Sequence, residues 1–187
     1  MLSVESNLTV DTPRSVAQAE VPLLRQPRAT DGAALHALVA VCPPLDPNSR
    51  YCNLLQCTHF AATSIVAEAD GELLGCVTGY LPPLRPDTLF VWQVAVHPQA
   101  RGSGLGGRML RQLLARPACA EVAYLDTTVT ADNAASEAMF RRLAASLGAR
   151  LRRHRWFDCE RHFAGVHDSE YLLRIGPFKR PPSEQPL

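Results

Sequence analysis

The sequence lacks a charge excess of either sign, a long hydrophobic run and any Cys-x-x-Cys pair. Lys and Arg number 19 against 18 Asp and Glu, so the formal net charge is +1. Binding to nucleic acid through its phosphates requires a basic excess, so we expect no nucleic-acid partner. No stretch approaches the roughly 18 to 20 apolar residues that span a bilayer, and the acidic N-terminus does not match a signal peptide. We therefore expect a cytoplasmic protein with no membrane partner.

The cysteines are scattered along the chain. Their spacing fits neither a zinc site nor a redox dithiol, and a chain with 47% hydrophobic residues does not need a disulfide framework. We expect them to behave as small buried hydrophobes in a reducing compartment, with no metal bound. The six are Cys42, Cys52, Cys57, Cys76, Cys119 and Cys159.

A chain of 187 residues is long enough for one sizeable core and short for two. Residues 1–20 show little periodicity, and the segment from Pro177 to the end contains four prolines. Both ends are predicted to be tails, 1–20 and 177–187, flanking one domain over 21–176.

The hydrophobic pattern predicts a domain of mixed strands and helices. Asp70-Gly71 suits a tight turn, so the runs 64–69 and 72–81 should pair antiparallel. The nearly apolar run 88–96 is predicted to be the middle strand, and a glycine-rich turn after it opens a helix. This order predicts an α/β (α+β) fold with a largely antiparallel, mixed sheet, flanking helices and one parallel crossover. The other strands are predicted near 21–28, 121–129, 150–158 and 169–175, and the helices near 35–42, 51–62, 102–116 and 133–147.

The segment Arg101-Gly102-Ser103-Gly104-Leu105-Gly106-Gly107 places small residues where a strand gives way to a helix. Several backbone N–H groups can converge there, and the helix N-terminus adds partial positive charge. Such a loop is suited to bind phosphate.

A dinucleotide fold is one alternative for this loop. Gly102, Gly104 and Gly107 satisfy G-x-G-x-x-G, and Asp126 lies about twenty residues on. Five residues separate Val96 from the first glycine, however, and about ninety residues precede the motif, which disfavours that fold. A purely structural glycine turn is the other alternative.

Arg101, Gly104 and Gly106 also fill the pattern R-x-x-G-x-G after the strand V-A-V-H-P. This resembles the acyl-CoA pyrophosphate loop of the GNAT superfamily of N-acetyltransferases, and the resemblance runs through residues 22–175. It implies a GNAT-like fold and acetyl-CoA as co-substrate, with the V-A-V strand splayed from its neighbour. The implied cofactor-binding residues are Val94, Ala95, Val96, Arg101, Gly102, Ser103, Gly104, Leu105, Gly106, Asn133 and Ser136. A plain helix N-cap is the alternative for Asn133.

Four further segments, PPLDPNSRY, FVWQVAV, TTVTADN and HDSEYLLRIGP, resemble the diaminobutyrate acetyltransferases within that superfamily. The resemblance implies transfer of acetyl to the γ-amino group of L-2,4-diaminobutyrate, a step of ectoine biosynthesis. It also implies a homodimer that needs no metal. Acetylation of another small amine or a peptide N-terminus, and a non-catalytic acyl-CoA-binding module, remain alternatives.

By the same resemblance, Asp46 and Glu170 hold the two ammonium groups of the substrate. Trp92 walls the pocket, and His167 completes it near Glu170. Two carboxylates facing two amines is sensible charge matching. Each residue also has an ordinary explanation: Asp46 as a turn residue, Trp92 as core, and His167 and Glu170 as a solvated loop and a strand start. The donor for the substrate carboxylate is not identified.

Many GNAT enzymes carry a tyrosine on the helix after the Asn, where its hydroxyl protonates the departing thiolate. The corresponding position here is Phe140, which donates no proton. Tyr51 is the candidate for a polar catalytic role, and unassisted departure of the thiolate is the alternative, since a thiol with pKa near 8.5 is a fair leaving group.

Overall fold

The computed structural model describes residues 21–179, which form one sheet with helices on both faces. The strands are β1 (Leu23–Arg25), β2 (Ile65–Ala69), β3 (Glu72–Tyr80), β4 (Thr88–Val96), β5 (Tyr124–Val129), β6 (Leu151–Phe157) and β7 (Glu170–Ile175). The helices are α1 (Gly32–Ala40), α2 (Arg50–Thr58), α3 (Leu105–Leu114), α4 (Ala134–Ser146) and α5 (Cys159–Phe163).

The seven strands lie in the order β1-β2-β3-β4-β5-β7-β6. Only β4 and β5 pair in parallel, and the connection between them passes through α3. The predicted fold class, the hairpin at Asp70-Gly71 and the central position of β4 are confirmed. Helix α5 was not predicted, because it is only five residues long and follows directly after a strand. Asp158 is its N-cap and accepts from the N–H groups of Glu160 and Arg161.

Each face of the sheet has its own core cluster. The larger cluster packs α3 and α4 against the central strands, with Leu105, Met109 and Phe140 buried in it. The smaller cluster lies under α1, where Leu35 and Val39 pack against Cys76 and Ala95. Burial of apolar side chains on both faces explains why the central strands are so apolar.

The middle strand is irregular at one residue. Thr78 of β3 pairs with Gln93 of β4, and Gly79 pairs with Val91, so Trp92 has no partner on β3. Such a bulge changes the face to which the following side chains point. Val91 and Val94 are three positions apart, so strict alternation would place them on opposite faces of the sheet. Because of the bulge, both pack against the larger cluster.

The parallel pairing of β4 and β5 ends early. It covers Thr88 to Phe90 on β4, and it stops where Phe90 faces Asp126. Beyond that point the ladder does not continue, and the hydroxyl of Thr127 donates to the carbonyl of Val91 instead (3.0 Å). The splay that the resemblance implied is therefore present, and it opens at the C-terminal end of β4.

The folded part of the chain extends past the expected domain end at Gly176. Phe178 is 8% exposed within the larger cluster, and its N–H donates to the carbonyl of Ala123 (2.9 Å). The segment predicted as a tail from Pro177 therefore includes at least one core residue, Phe178. The prediction relied on the proline content of the segment and gave no weight to its single aromatic residue. The N-terminal tail, 1–20, and the rest of the C-terminal one lie outside the described residues. Among the helices of 21–179, none has the length and apolarity to cross a membrane.

Candidate active site

The glycine-rich loop forms the N-terminal end of α3. Gly102 and Gly104 adopt φ of +80° and +74°, a left-handed conformation that other residues adopt only with strain. Gly104 is the N-cap and has no side chain to cap the helix. The N–H groups of the first turn therefore carry no side-chain acceptor, which suits them to an anionic ligand.

A cleft of about 660 Å³ lies between this loop, the end of β4 and the start of α4. Most of the predicted cofactor-binding residues line it: Val94, Val96, Arg101, Gly102, Gly104, Leu105, Gly106, Asn133 and Ser136. Two do not. Ala95 packs on the opposite face under α1, and the Ser103 hydroxyl donates to the carbonyl of Ala100 (2.7 Å). A side-chain contribution from these two residues is thus not supported by their placement.

The cleft also contains two basic residues that sequence reasoning missed, Arg111 on α3 and Arg142 on α4. Together with Arg101 they surround the cleft with positive charge, as an acyl-CoA with several phosphates requires. Neither belongs to a motif. Only the packing of α3 beside α4 brings the two guanidinium groups to the same opening.

The two helices approach closely at Gly106. A Cβ added there would lie 2.8 Å from the sulfur of Met139 on α4, and near the side chains of Val94 and Val96. The absence of a side chain at Gly106 thus keeps the cleft open between β4 and α4.

Asn133 has the N-cap role and lies at the cleft, while its role in cofactor binding stays a prediction. Its side-chain oxygen accepts from the N–H of Ser136 (3.1 Å), so it is the N-cap of α4, and it also lines the cleft. Further along α4, Phe140 is buried in the larger core cluster. A hydroxyl on α4 is therefore absent at the position where many GNAT enzymes carry the tyrosine.

The C-terminal end of β4 makes hydrogen bonds to residues outside the sheet. The carbonyl of Val96 accepts from the Cys42 thiol (3.3 Å) and from Nε of Arg101 (3.2 Å), both from outside the β3–β4 ladder. Cys42 and Arg101 both line the cleft, so the main chain at this end of β4 lies beside it.

On the acceptor side, the loop between α1 and α2 is tied to β4. Nε2 of Gln93 donates to the main-chain carbonyl of Asp46 (2.5 Å), and Oδ1 of Asp46 accepts from the N–H of Asn48 (3.2 Å). Trp92, next to Gln93, is 42% exposed with its ring 6.2 Å from that of Tyr80. Trp92 is thus not a core residue. Asp46 is held beside β4 by Gln93, and its hydrogen bond to Asn48 forms an Asx turn, so Asp46 is a turn residue as well.

Glu170 begins β7 next to the C-terminal end of β5, on the other side of the splay from Trp92. Its Oε2 is buried and has no hydrogen-bond partner within the described residues. A buried carboxylate oxygen without a partner is costly, and a bound cation would remove that cost. His167 is exposed, with its ring 4.7 Å from that of Phe163 and its Nδ1 2.7 Å from the carbonyl of Asp168.

Tyr51 lies near the start of α2 and is 70% exposed. Its hydroxyl makes no hydrogen bond within the part of the chain that the structure describes. The catalytic role of Tyr51 therefore stays a prediction.

Asp126 does not act as a ribose ligand of a dinucleotide. It is fully buried, and its carboxylate pairs with Arg85 (2.7 Å) and Arg174 (3.2 Å). The dinucleotide alternative loses its acidic residue, since a ribose ligand must be accessible. Within residues 21–179, no three His, Cys, Asp or Glu side chains come together as a metal site.

Burial raises the pKa of two thiols well above neutral, to about 11 for Cys57 and about 12 for Cys76. Both stay protonated near pH 7 and are poor nucleophiles. Burial likewise raises the pKa of Cys52 and Cys159.

The fold and the cleft define an acyl-CoA-dependent acetyltransferase, and residues 33–145 match the Acetyltransferase (GNAT) family. The L-2,4-diaminobutyric acid acetyltransferase of Methylotuvimicrobium alcaliphilum is 52% identical over 83% of this chain and 91% of its own. That of Bordetella parapertussis is 52% identical over 90% and 92%. The chain belongs to this family of L-2,4-diaminobutyric acid acetyltransferases. Its fold resembles the solved diaminobutyrate acetyltransferase EctA from Paenibacillus lautus in complex with L-2,4-diaminobutyric acid and coenzyme A, with a TM-score of 0.81 and 34% identity over 86% and 97% of the two chains.

Proposed function

We propose that this chain transfers acetyl from acetyl-CoA to the γ-amino group of L-2,4-diaminobutyrate in the cytoplasm, for the synthesis of the compatible solute ectoine. The kinship with diaminobutyrate acetyltransferases supports the substrate. The buried, unpartnered Oε2 of Glu170 at the open end of the splayed strands carries the proposal structurally, because it calls for a cationic ligand.

The cleft fits acetyl-CoA. The uncapped N–H groups at the start of α3 and the guanidinium groups of Arg101, Arg111 and Arg142 would hold the phosphates. The main chain at Val94 and Val96 would hold the pantetheine. When bound, acetyl-CoA supplies a thioester activated toward amines. The residues around it orient that thioester toward the acceptor pocket.

The acceptor arrives with both amino groups as ammonium and its carboxyl group ionised, since alkylammonium groups have a pKa of about 10. Glu170 and Asp46 would neutralise its two ammonium groups, with Trp92 forming a wall. Glu170 or His167 would accept the proton that the attacking amine must lose. The raised thiol pKa of Cys57 and of Cys76 supports direct transfer over a covalent acyl-enzyme.

The experiment is CoA release from acetyl-CoA with L-2,4-diaminobutyrate, run in parallel with lysine, ornithine and a polyamine. NMR of the product locates the new acetyl group. We expect selective acetylation at the γ-amino nitrogen of diaminobutyrate. Binding of acetyl-CoA without acetylation of any of these amines would contradict the proposal and favour a non-catalytic acyl-CoA-binding module.

A homodimer forms part of the proposal. Strand β6 lies at the edge of the sheet, and together with α5 it exposes Trp156 (42%) and Phe157 (38%). Exposed aromatic side chains on an edge strand are typical of a surface that another chain covers. Sedimentation of the full chain is expected to give a dimer, and W156E to shift it toward monomer. A monomer at all concentrations would contradict the dimer.

A further inference from the structure

A second cavity, of about 580 Å³, lies far along the sheet from the cofactor cleft. It is lined at the start of β4 and β5 by Asp87 and Tyr124, whereas the cofactor cleft touches β4 at Val94 and Val96. Three arginines from separate segments of the chain also line it: Arg85 in the loop before β4, Arg152 on β6 and Arg174 on β7.

Sheet register brings charges into one row across this cavity. Arg174 faces Asp126 on β5 and Arg152 on β6. Directly opposed residues point to the same face of a sheet, and like charges in that position repel. The pair Arg152 and Arg174 is therefore unfavourable unless an anion lies between or beside the two guanidinium groups.

The protein supplies only part of that negative charge. Asp126 is fully buried and shared between Arg85 and Arg174. Nε of Arg174 lies 3.2 Å from Oδ1 of Asp126, but the geometry makes no hydrogen bond, so both buried atoms stay unsatisfied. Asp87 accepts from the hydroxyl of Thr88 (3.0 Å). The side chain of Arg152 has no ion pair or hydrogen bond within residues 21–179.

The remaining contacts hold Arg174 in place. Its guanidinium lies over the ring of Tyr124, 4.8 Å from the centroid, and its Nη2 donates to the Thr88 hydroxyl (3.4 Å). A guanidinium held in this way loses little further entropy when it pairs with an oxyanion.

We propose that this cavity binds a small oxyanion, a phosphate or a carboxylate group, between Arg152, Arg174 and Arg85. The planar guanidinium groups offer paired N–H donors that match such oxygens. The bound anion offsets the repulsion between Arg152 and Arg174. The site is separate from the cofactor cleft, so anion and acetyl-CoA bind together.

The test titrates the full-length chain, already saturated with CoA, with inorganic phosphate and, in a second arm, with succinate. Saturation with CoA keeps either anion out of the phosphate-binding loop. Calorimetry is expected to give one binding site per chain for at least one anion. Saturating anion should raise Tm by about 2–4 °C above sodium chloride of equal ionic strength.

Arg152→Gln is the decisive variant because its exposed side chain has no partner to leave unpaired. It should weaken anion binding at least tenfold while the CoA affinity stays unchanged. Arg161→Gln on α5 removes the same charge elsewhere and should bind the anion like the unmodified chain. No binding by either anion, or equal affinity in Arg152→Gln, would overturn the proposal.

Discussion

At the scale of single residues, Glu170 is the carboxylate of the acceptor side whose buried oxygen lacks a hydrogen-bond partner within the described residues. Its Oε2 is buried and unpartnered, so replacing the carboxylate removes the proposed partner of the substrate ammonium. In Glu170→Gln we expect kcat/KM for diaminobutyrate to fall by about 100-fold or more. The KM for acetyl-CoA should stay near its original value.

Steady-state kinetics with each substrate varied in turn measure this separation. Glu160→Gln, an exposed acid on α5, is the matched control and should keep full activity. Equal losses for both substrates in Glu170→Gln would indicate structural damage and contradict a role in amine binding.

Gln93 contributes to the acceptor pocket through its hydrogen bond to Asp46. Its Oε1 is buried without a partner, so Gln93→Leu removes an unsatisfied polar atom together with that hydrogen bond. We expect stability to change little, and KM for the amine to rise about tenfold, equivalent to about 1.4 kcal/mol. Steady-state kinetics of this variant measure the change in KM, and urea unfolding measures the change in stability. A parallel rise in KM for acetyl-CoA would contradict a positioning role for Gln93.

At the scale of elements, the distance between α3 and α4 sets the width of the cofactor cleft. In Gly106→Ala the new Cβ would lie 2.8 Å from the Met139 sulfur, and Met139 must shift toward the cleft it lines. The displaced Met139 side chain narrows the space proposed for acetyl-CoA, so its KM should rise about tenfold or more, equivalent to about 1.4 kcal/mol.

The double variant Gly106→Ala with Met139→Ala provides the control. Removing the Met139 side chain restores the room that the added methyl group takes. We expect the double variant to recover acetyl-CoA affinity relative to Gly106→Ala alone. No recovery would place the defect in the backbone of the loop instead.

The first strand is fastened to α1 by Asp31. Its carboxylate accepts from both terminal nitrogens of Arg25 (2.7 and 2.9 Å) and from the N–H of Arg28 (2.6 Å). The hydrogen bonds from Arg25 are the main cause that lowers the pKa of Asp31 below 3.8. A lowered native pKa means that this stabilisation is complete above the unfolded pKa and is lost as pH falls through the native one.

We therefore expect Asp31→Asn to lower the free energy of unfolding at pH 7 by about 1.5–3 kcal/mol, the range for a charged hydrogen bond. Arg25 keeps Glu68 as a partner, which limits the loss. The difference between Asp31→Asn and the parent should shrink below about pH 4, where the unfolded carboxyl protonates. Urea unfolding at pH 7 and pH 3 measures it; a constant difference would contradict the linkage.

At the scale of the whole molecule, the boundaries of the folded unit can be tested with two truncations. A chain of residues 21–179 should keep both fold and activity, as the proposed single domain requires. A chain of 21–176 loses the buried ring of Phe178 and its bond to Ala123, and should be less stable by about 3–5 kcal/mol. Thermal unfolding compares the two, and equal stability would contradict anchoring by Phe178.

Local chemistry made much of the fold readable from the sequence. Asp70-Gly71 specifies a tight turn, the glycines at 102 and 104 permit positive φ, and the apolar run 88–96 requires cover on both faces. These signals depend on neighbours along the chain. For the same reason most residues that line the cleft had been named from the sequence, and the family was identified from short sequence segments.

Contacts between distant segments could be decided only in three dimensions. The bulge that leaves Trp92 without a partner, the unpartnered oxygen of Glu170, and the row formed by Asp126, Arg174 and Arg152 depend on strand register. Arg111 and Arg142 become cleft residues only through helix packing, and Phe178 becomes core only where Ala123 receives its N–H. Sequence alone determined most of the helices and strands, though not α5, and the family of this protein. Tertiary structure decided which charges meet and which stay unpaired, because burial and electrostatic energy depend on distance in space, not on separation along the chain.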